Sequence, residues 1–422
     1  MELKKFLLND KGIEKSSFLW NMMGNILMAF QSVIMLIILT HMKNLYEAGV
    51  FTIANVSANL FLTIGKYGGR YFQVSDVYDQ FSFAEYRTTR IVTSVIMVLI
   101  SAVYVICADI SKGYSAEKVF VILWMCLFKA IDALEDVYHG HYQKMNRLDV
   151  AARSVTLRLI ITNVFFGVTF IILENLLLTL ISSTILSAFL FFFFTKQTYG
   201  EFHVPASKVK KEKIILLLKV NFPLFMGNFL SFYICNAPKY AIDSTLNDEL
   251  QACYGFISMP VFIISLLNGF IFNPVVYKMS ILWNRKEIKK FVKRILIQIA
   301  IIVLITSACL FGATMFGIPI LSFLYNTNLS SYKTELLLLL LGGGLLGISG
   351  LLSTVITIMR FHNKMVWGYV LAAALACICS NSIVQYYGVM GAAMLYTILM
   401  GFLCIVFLFI FVGGILKNKR IK

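Results

Sequence analysis

An all-α integral membrane protein of about twelve transmembrane helices in two six-helix lobes follows from three features of the sequence. The chain of 422 residues is 59% hydrophobic and only 14% charged, with a mean hydropathy of +0.81, a balance foreign to water-soluble domains. Apolar runs of about 20 residues, enough for a helix to cross a hydrocarbon layer of roughly 30 Å, recur from end to end. Runs such as LENLLLTLISSTILSAFLFFFF, from Leu173 to Phe194, lack the alternation of a transmembrane β-barrel, so the spans are helices. Finally, the lysines and arginines collect in alternate polar intervals, as the positive-inside rule requires of a multi-pass chain.

The first apolar run, Phe18 to Leu39, exceeds a signal-peptide core and reads as a retained first span. The hydrophobic pattern then places spans at 16–40, 48–72, 88–110, 117–140, 150–172, 174–196, 214–240, 251–278, 291–317, 333–360, 364–387 and 389–416. With both termini cytoplasmic, most of the 37 basic residues fall on one side, whereas Lys43, Lys112, Lys118, Lys239 and Lys333 fall on the other. Juxtamembrane lysines facing anionic lipid account for the formal charge of +16, and no nucleic-acid partner is implied. Residues 1–196 form the N-terminal lobe, the basic interval 197–213 a cytoplasmic linker, and 214–422 the C-terminal lobe. Met23-Gly24-Asn25 in the first span recurs as Met226-Gly227-Asn228 in the seventh. That marks the lobes as parallel repeats, an arrangement that puts a transporter's substrate path at the repeat interface.

The polar intervals leave no room for a soluble catalytic or nucleotide-binding domain, and no Walker A motif is present. The glycine-rich GGGLLGISG, Gly342 to Gly350, sits in an apolar run, where Gly343 and Gly347 read as a helix-packing GxxxG. The eight cysteines lie in or beside apolar runs without metal-ligand spacing and read as small core residues. No enzyme activity, cofactor or metal is expected.

Polar residues inside the spans carry the functional information. In the second span, Thr52, Asn55, Asn59, Thr63, Lys66 and Arg70 fall within an arc of about 80° on one continuous helix. A charge near the bilayer centre costs on the order of 3 kcal/mol, so this stripe either lines an aqueous cavity or ends in cations that snorkel to the surface. In the fourth span, Lys129, Asp132, Asp136 and His139 share a face flanked by Glu135, and Lys129 to Asp132 is an i, i+3 ion pair. This face is either a structural charge network or a cavity wall whose carboxylates, Asp132 or Asp136, bind a coupling ion. The seventh span adds Asn221, Asn228, Asn236 and Lys239, and the first adds Asn21, Asn25 and Ser32. Amides and cations on a common interior suit an anionic, hydroxyl-rich ligand. Pro223, Pro238, Pro260 and Pro274 concentrate in spans seven and eight, where they are hinges or static kinks.

Three stretches carry a resemblance: LYEAGVFTIANVSANLFLTIGKYGGR in span two, FKAIDALEDVYHGHYQKMNRLDVAARS across spans four and five, and NAPKYAIDSTLNDELQACYGFISMPVFIISLLNGFIFNPVV across seven and eight. They resemble bacterial polysaccharide biosynthesis proteins, the Wzx-type oligosaccharide flippases of the multidrug/oligosaccharidyl-lipid/polysaccharide exporter superfamily. The resemblance implies a two-lobed bundle of six plus six helices, working by alternating access in the bacterial cytoplasmic membrane. Its cargo would be an undecaprenyl-pyrophosphate-linked oligosaccharide for capsule, O-antigen or another surface glycan. Lys66, Arg70, Lys129 and Lys239 would then hold pyrophosphate and acidic sugars, and Asn25, Asn55, Asn59 and Asn228 would contact hydroxyls. H⁺ or Na⁺ would couple the movement, with other polysaccharide assembly proteins as partners. The alternative is a drug/cation antiporter of the same superfamily, which needs carboxylates deep in its cavity. A glycan polymerase would need a large external loop, and the intervals around Asp109 to Lys118 and Gly317 to Lys333 are short.

Overall fold

The computed structural model describes residues 2–42, 45–76, 78–202 and 209–420, excluding the side chains of 263, 265–274, 277, 362, 363 and 417–420. Among the described residues the chain is helical throughout, in two compact units, Met1–Phe229 and Leu230–Lys422.

The N-terminal unit opens with the short helix α1 (Glu2–Leu7), followed by α2 (Ile13–Met42), α3 (Leu45–Lys66), α4 (Gly69–Ser75) and α5 (Phe83–Lys112). Then come α6 (Ala116–Lys144), α7 (Leu148–Leu173), α8 (Leu176–Tyr199) and the first part of α9 (Lys211–Thr245). Local chemistry sets the ends of these helices. Ser82 and Glu85 form a capping box at the start of α5: the Ser82 hydroxyl accepts the Glu85 amide, and the Glu85 carboxylate accepts the Ser82 amide. Gly113 ends the same helix in the left-handed region at φ 65°. Ser115 and Asn175 cap α6 and α8 in turn. At the start of the chain, the Arg153 guanidinium donates to the carbonyls of Phe6, Leu7 and Asn9, satisfying groups that the end of α1 leaves free. Leu7 is fully buried against Leu190 and Phe194.

Packing makes α6 the axis of this unit. It contacts α3, α4, α5, α7 and α8, while α2 pairs with α7 and α3 with α5. Surrounded in this way, α6 buries Lys129, Asp132, Glu135, Asp136 and His139 among protein groups, away from lipid.

The C-terminal unit holds the rest of α9, then α10 (Asp248–Asn284), α11 (Ile288–Gly312), α12 (Ile318–Leu324), α13 (Lys333–Ile358) and α14 (His362–Arg420). Here α13 is central and packs on α10, α11 and α14. Its three consecutive glycines are each pressed against a different helix. A Cβ at Gly342 would meet the Tyr396 ring at 2.6 Å, one at Gly343 would meet Val261 at 3.0 Å, and one at Gly344 would meet Thr306 at 2.6 Å. The expected helix-packing role of the glycine-rich run therefore belongs to the Gly342–Gly344 triplet, which lets three helices approach closely. Gly388, at φ 58° and ψ −138°, divides α14 into two helices, as the expected spans 364–387 and 389–416 require.

Nine helical segments among the described residues are long and apolar enough to cross a membrane. The last of these, Lys364–Leu416, is 53 residues long and contains the Gly388 break. The charged α6 (29 residues) and α10 (37 residues) have the length of spans as well. The chain is a multi-pass membrane protein. One expectation fails: the second span is not a continuous helix through Arg70. Tyr67 and Gly68 adopt φ 47° and 65°, and this left-handed pair ends α3 at Lys66 and starts α4 at Gly69.

Candidate functional site

The polar residues of the N-terminal unit form one connected cluster on α6. At its middle, the Arg158 guanidinium from α7 is fully buried and donates to three oxygens. Nη2 reaches Asp132 Oδ1 at 2.6 Å and Glu135 Oε2 at 2.7 Å, and Nη1 reaches Ser187 Oγ at 2.7 Å. The other Asp132 oxygen accepts from Lys129 Nζ at 3.3 Å, and Lys129 also donates to Gln31 Oε1 at 2.9 Å. Gln31 passes the chain on to Asn163 Oδ1 at 3.2 Å, tying α2 to α7. His139 Nε2 lies 3.7 Å from Glu135 Oε1.

One turn further along α6, Asp136 faces two arginines. Arg90 of α5 donates to it at 2.9 Å and to the Gly65 carbonyl at 3.0 Å. Arg70 of α4 stands 3.6 Å away and donates twice to Gln143 Oε1. The Thr93 hydroxyl also donates to the Gly65 carbonyl, at 2.8 Å. A Cβ on Gly65 would meet Met97 Sδ at 2.8 Å and Ala133 Cβ at 2.9 Å, so only glycine brings this carbonyl into the network.

Lys66 completes the set. It is half-buried at the last residue of α3, within electrostatic reach of Asp132, Glu135 and Asp136. Among the described residues it has neither an ion pair nor a hydrogen bond. A cavity of about 20 Å³ lies between Lys66, Gln73, Tyr86, Arg90 and Asn221. By formal charge, five basic side chains (Lys66, Arg70, Arg90, Lys129, Arg158) surround three carboxylates (Asp132, Glu135, Asp136). The cluster therefore carries surplus positive charge, and its two most accessible cations, Lys66 and Arg70, stand on either side of the α3–α4 break. Charges buried in low dielectric hold each other strongly, and an uncompensated cation among them attracts an anion.

Other sequence-predicted residues fall as follows. Asn59 Nδ2 donates to the Asn55 carbonyl at 2.8 Å and to Asn55 Oδ1 at 3.0 Å. That leaves Asn59 Oδ1 able to accept and Asn55 Nδ2 able to donate. Thr52 and Thr63 bond back to their own helix, at Ala48 and Leu60. Asn25 and Asn228 are exposed on α2 and α9. Lys239 is half-buried on the part of α9 that belongs to the C-terminal unit. Asp132 and Asp136, the ion-coupling candidates, both face basic groups: Lys129 and Arg158 for Asp132, Arg90 and Arg70 for Asp136. Pro223 is exposed, Pro260 half-buried and Pro238 buried, and all three lie within helices that run on through them. The side chain of Pro274 lies outside the described residues, as do residues 203–208 of the expected linker. No group of His, Cys, Asp and Glu that could hold a metal ion occurs among the described residues.

Arg90, Arg153 and Arg158 belong to the basic residues that the positive-inside pattern puts on the cytoplasmic side, yet their exposures are 4%, 3% and 0%. The signal that could have found them is charge balance. α6 carries three carboxylates against one lysine along its buried face, so neighbouring helices have to supply cations.

No protein-family model and no curated protein sequence matches the chain. Solved structures do. A multidrug resistance MATE family transporter of the MOP superfamily, in its inward-facing conformation, is 12% identical. The match covers 93% of this chain and 95% of that one, with a TM-score of 0.64. The Vibrio cholerae MATE transporter VcmN in the bent form is 11% identical over 97% of this chain and 98% of its own, with a TM-score of 0.61. A MOP superfamily transporter from Pyrococcus furiosus, whose binding pocket has a reverse polarity taken to suggest a different function, is 14% identical. That match covers 99% of this chain and 98% of that one, with a TM-score of 0.58. The chain has the fold of the MATE transporters of the MOP superfamily.

Proposed function

We propose that this protein is a transporter that moves an undecaprenyl-pyrophosphate-linked oligosaccharide across the bacterial cytoplasmic membrane, for surface polysaccharide assembly. The observation that carries this reading is the surplus positive charge of the α6 cluster, accessible at Lys66 and Arg70. A pyrophosphate presents several acceptor oxygens and at least two negative charges, which an ammonium and a guanidinium meet with charge-assisted hydrogen bonds. Asn59 and Asn55 lie two and three turns back along α3, so Asn59 is about 10 Å from Lys66 along the helix axis. Sugars following the pyrophosphate would meet an amide acceptor and an amide donor there, while the polyprenyl tail stays in lipid. Arg158, Arg90 and Lys129 are committed to α6 carboxylates and set the local potential instead of contacting cargo. The sequence resemblance to Wzx-type flippases supports the same cargo class.

A second reading, export of cationic drugs, is favoured by the multidrug MATE transporters that share the fold. It needs a carboxylate free to meet a cation, and the three on α6 are already paired with basic groups. The two readings separate in cells depleted of the protein. Accumulation of lipid-linked repeat units in the inner leaflet, cleared by wild type and not by Lys66→Ala/Arg70→Ala, supports the flippase. Unchanged glycan export with increased sensitivity to cationic drugs overturns it in favour of the antiporter.

A further inference from the structure

A second basic site lies in the C-terminal unit, in the groove where α10 turns into α11. The groove has a volume of about 650 Å³ and is walled by Lys278, Ile281, Lys290, Lys293, Arg294 and Ile297 among others. That size falls within the roughly 300–1,000 Å³ of ligand sites. Lys290 is paired with Glu287 at 2.7 Å. Lys278, Lys293 and Arg294 have no ion pair among the described residues, and Arg294 Nε is buried without a hydrogen-bond partner. Along α11 the composition is two-sided. Its cations stand nearer the turn at Arg285 and Glu287, while Ile297 and its neighbour Leu296, further along the helix, are 42% and 59% exposed. Trp283 packs on Phe291 at a ring distance of 5.2 Å beside the same turn, and tryptophan is a residue enriched at membrane interfaces.

We infer that this groove binds an anionic phospholipid, with the phosphate on Lys278, Lys293 and Arg294 and an acyl chain along Ile297 and Leu296. A soluble anion would use the cations alone. The apolar wall continuing from them toward the membrane interior fits a lipid, because its head group and tail are joined at this spacing. Basic pockets between helices on the cytoplasmic side of a membrane take such head groups, and the charge bias of the sequence assigns this turn to that side.

The test uses the full-length protein in detergent, titrated with phosphatidylglycerol, phosphatidylcholine or inorganic phosphate and read by native mass spectrometry and thermal shift. Phosphatidylglycerol is expected to bind and raise the midpoint of unfolding, and phosphatidylcholine to do neither. Lys293→Gln/Arg294→Gln is expected to weaken phosphatidylglycerol binding about twenty-five-fold, from about fivefold for each cation. Lys286→Gln/Lys289→Gln, which removes the same charge from the same turn outside the groove, should leave binding within about twofold of wild type. If the groove variant fails to fold, the exposed Lys278→Gln replaces it, with an expected loss of about fivefold. Equal losses in the groove and turn variants would reduce the effect to general surface charge and overturn the inference. So would inorganic phosphate competing as well as the lipid. Because the readout is lipid binding and not transport, failure here leaves the cargo reading untouched.

Discussion

Arg158 Nη2 lies 2.6 Å from Asp132 Oδ1, joining α7 to α6 at the fully buried centre of the N-terminal unit. The same nitrogen also meets Glu135, so one guanidinium, with Lys129 on the far oxygen of Asp132, compensates two carboxylates that lipid could not solvate. Arg158→Gln is expected to strand Glu135, leave Asp132 on Lys129 alone, and cost about 3–5 kcal/mol, read as a lower unfolding midpoint in detergent. Removing the stranded pair together, as Arg158→Leu/Glu135→Gln, keeps Lys129 on Asp132 and should recover much of that loss. A double variant no better than the single would show that the ion pairs themselves are not what holds the helices.

Lys66 should behave in the opposite way. It has no partner to strand, so Lys66→Ala is expected to change stability by no more than about 0.5 kcal/mol while abolishing glycan export. A variant that unfolds would make Lys66 a structural member of the cluster.

Gly68 holds the α3–α4 break at φ 65°, and a Cβ there would meet Leu224 Cδ2 at 2.8 Å. Gly68→Ala combines left-handed strain with overpacking and is expected to cost about 2–4 kcal/mol. Adding Leu224→Ala should relieve the steric share and leave the backbone share, which thermal unfolding of the single and double variants separates.

Asp76, in the connection after α4, accepts the amides of Gln80 and Phe81 and the hydroxyl of Tyr86. Burial works against its ionisation, but these three hydrogen bonds and nearby Lys144 outweigh it and hold the carboxyl below the usual aspartate range. A depressed folded-state value means that the stabilisation is fully present above about pH 4 and is lost as pH falls through the lower folded value. Amide exchange at Gln80 and Phe81 should therefore reflect the same protection at pH 7 and pH 5, once the intrinsic rate is allowed for. Asp76→Asn should reduce that protection at both, by about 1 kcal/mol.

The spans were legible in the sequence because hydrophobic length is a one-dimensional property. The expected apolar segments fall on helices, except that the second runs across the break at Tyr67 and Gly68, and the Gly388 break falls between the last two. The Lys129–Asp132 pair was legible too, since i, i+3 spacing fixes proximity within one helix. What stayed hidden depends on neighbours brought together by the fold. Arg158 and Arg90 sit 23 and 46 residues from the carboxylates they meet, Glu135 and Asp136. The stripe through Arg70 failed for another reason. Helical periodicity was carried across Tyr67-Gly68-Gly69, although paired glycines at the end of an apolar run are a stop signal.

The central claim, that surplus positive charge at Lys66 and Arg70 receives a pyrophosphate lipid, is tested most directly by equilibrium binding. Purified wild type and Lys66→Ala/Arg70→Ala would be titrated with undecaprenyl pyrophosphate, undecaprenol and tetraphenylphosphonium. The account predicts that wild type prefers the pyrophosphate over the alcohol, that the double variant loses this preference by about a hundredfold, and that the cation binds neither protein. Tight binding of tetraphenylphosphonium by wild type, or a pyrophosphate affinity that the double substitution leaves unchanged, would contradict it.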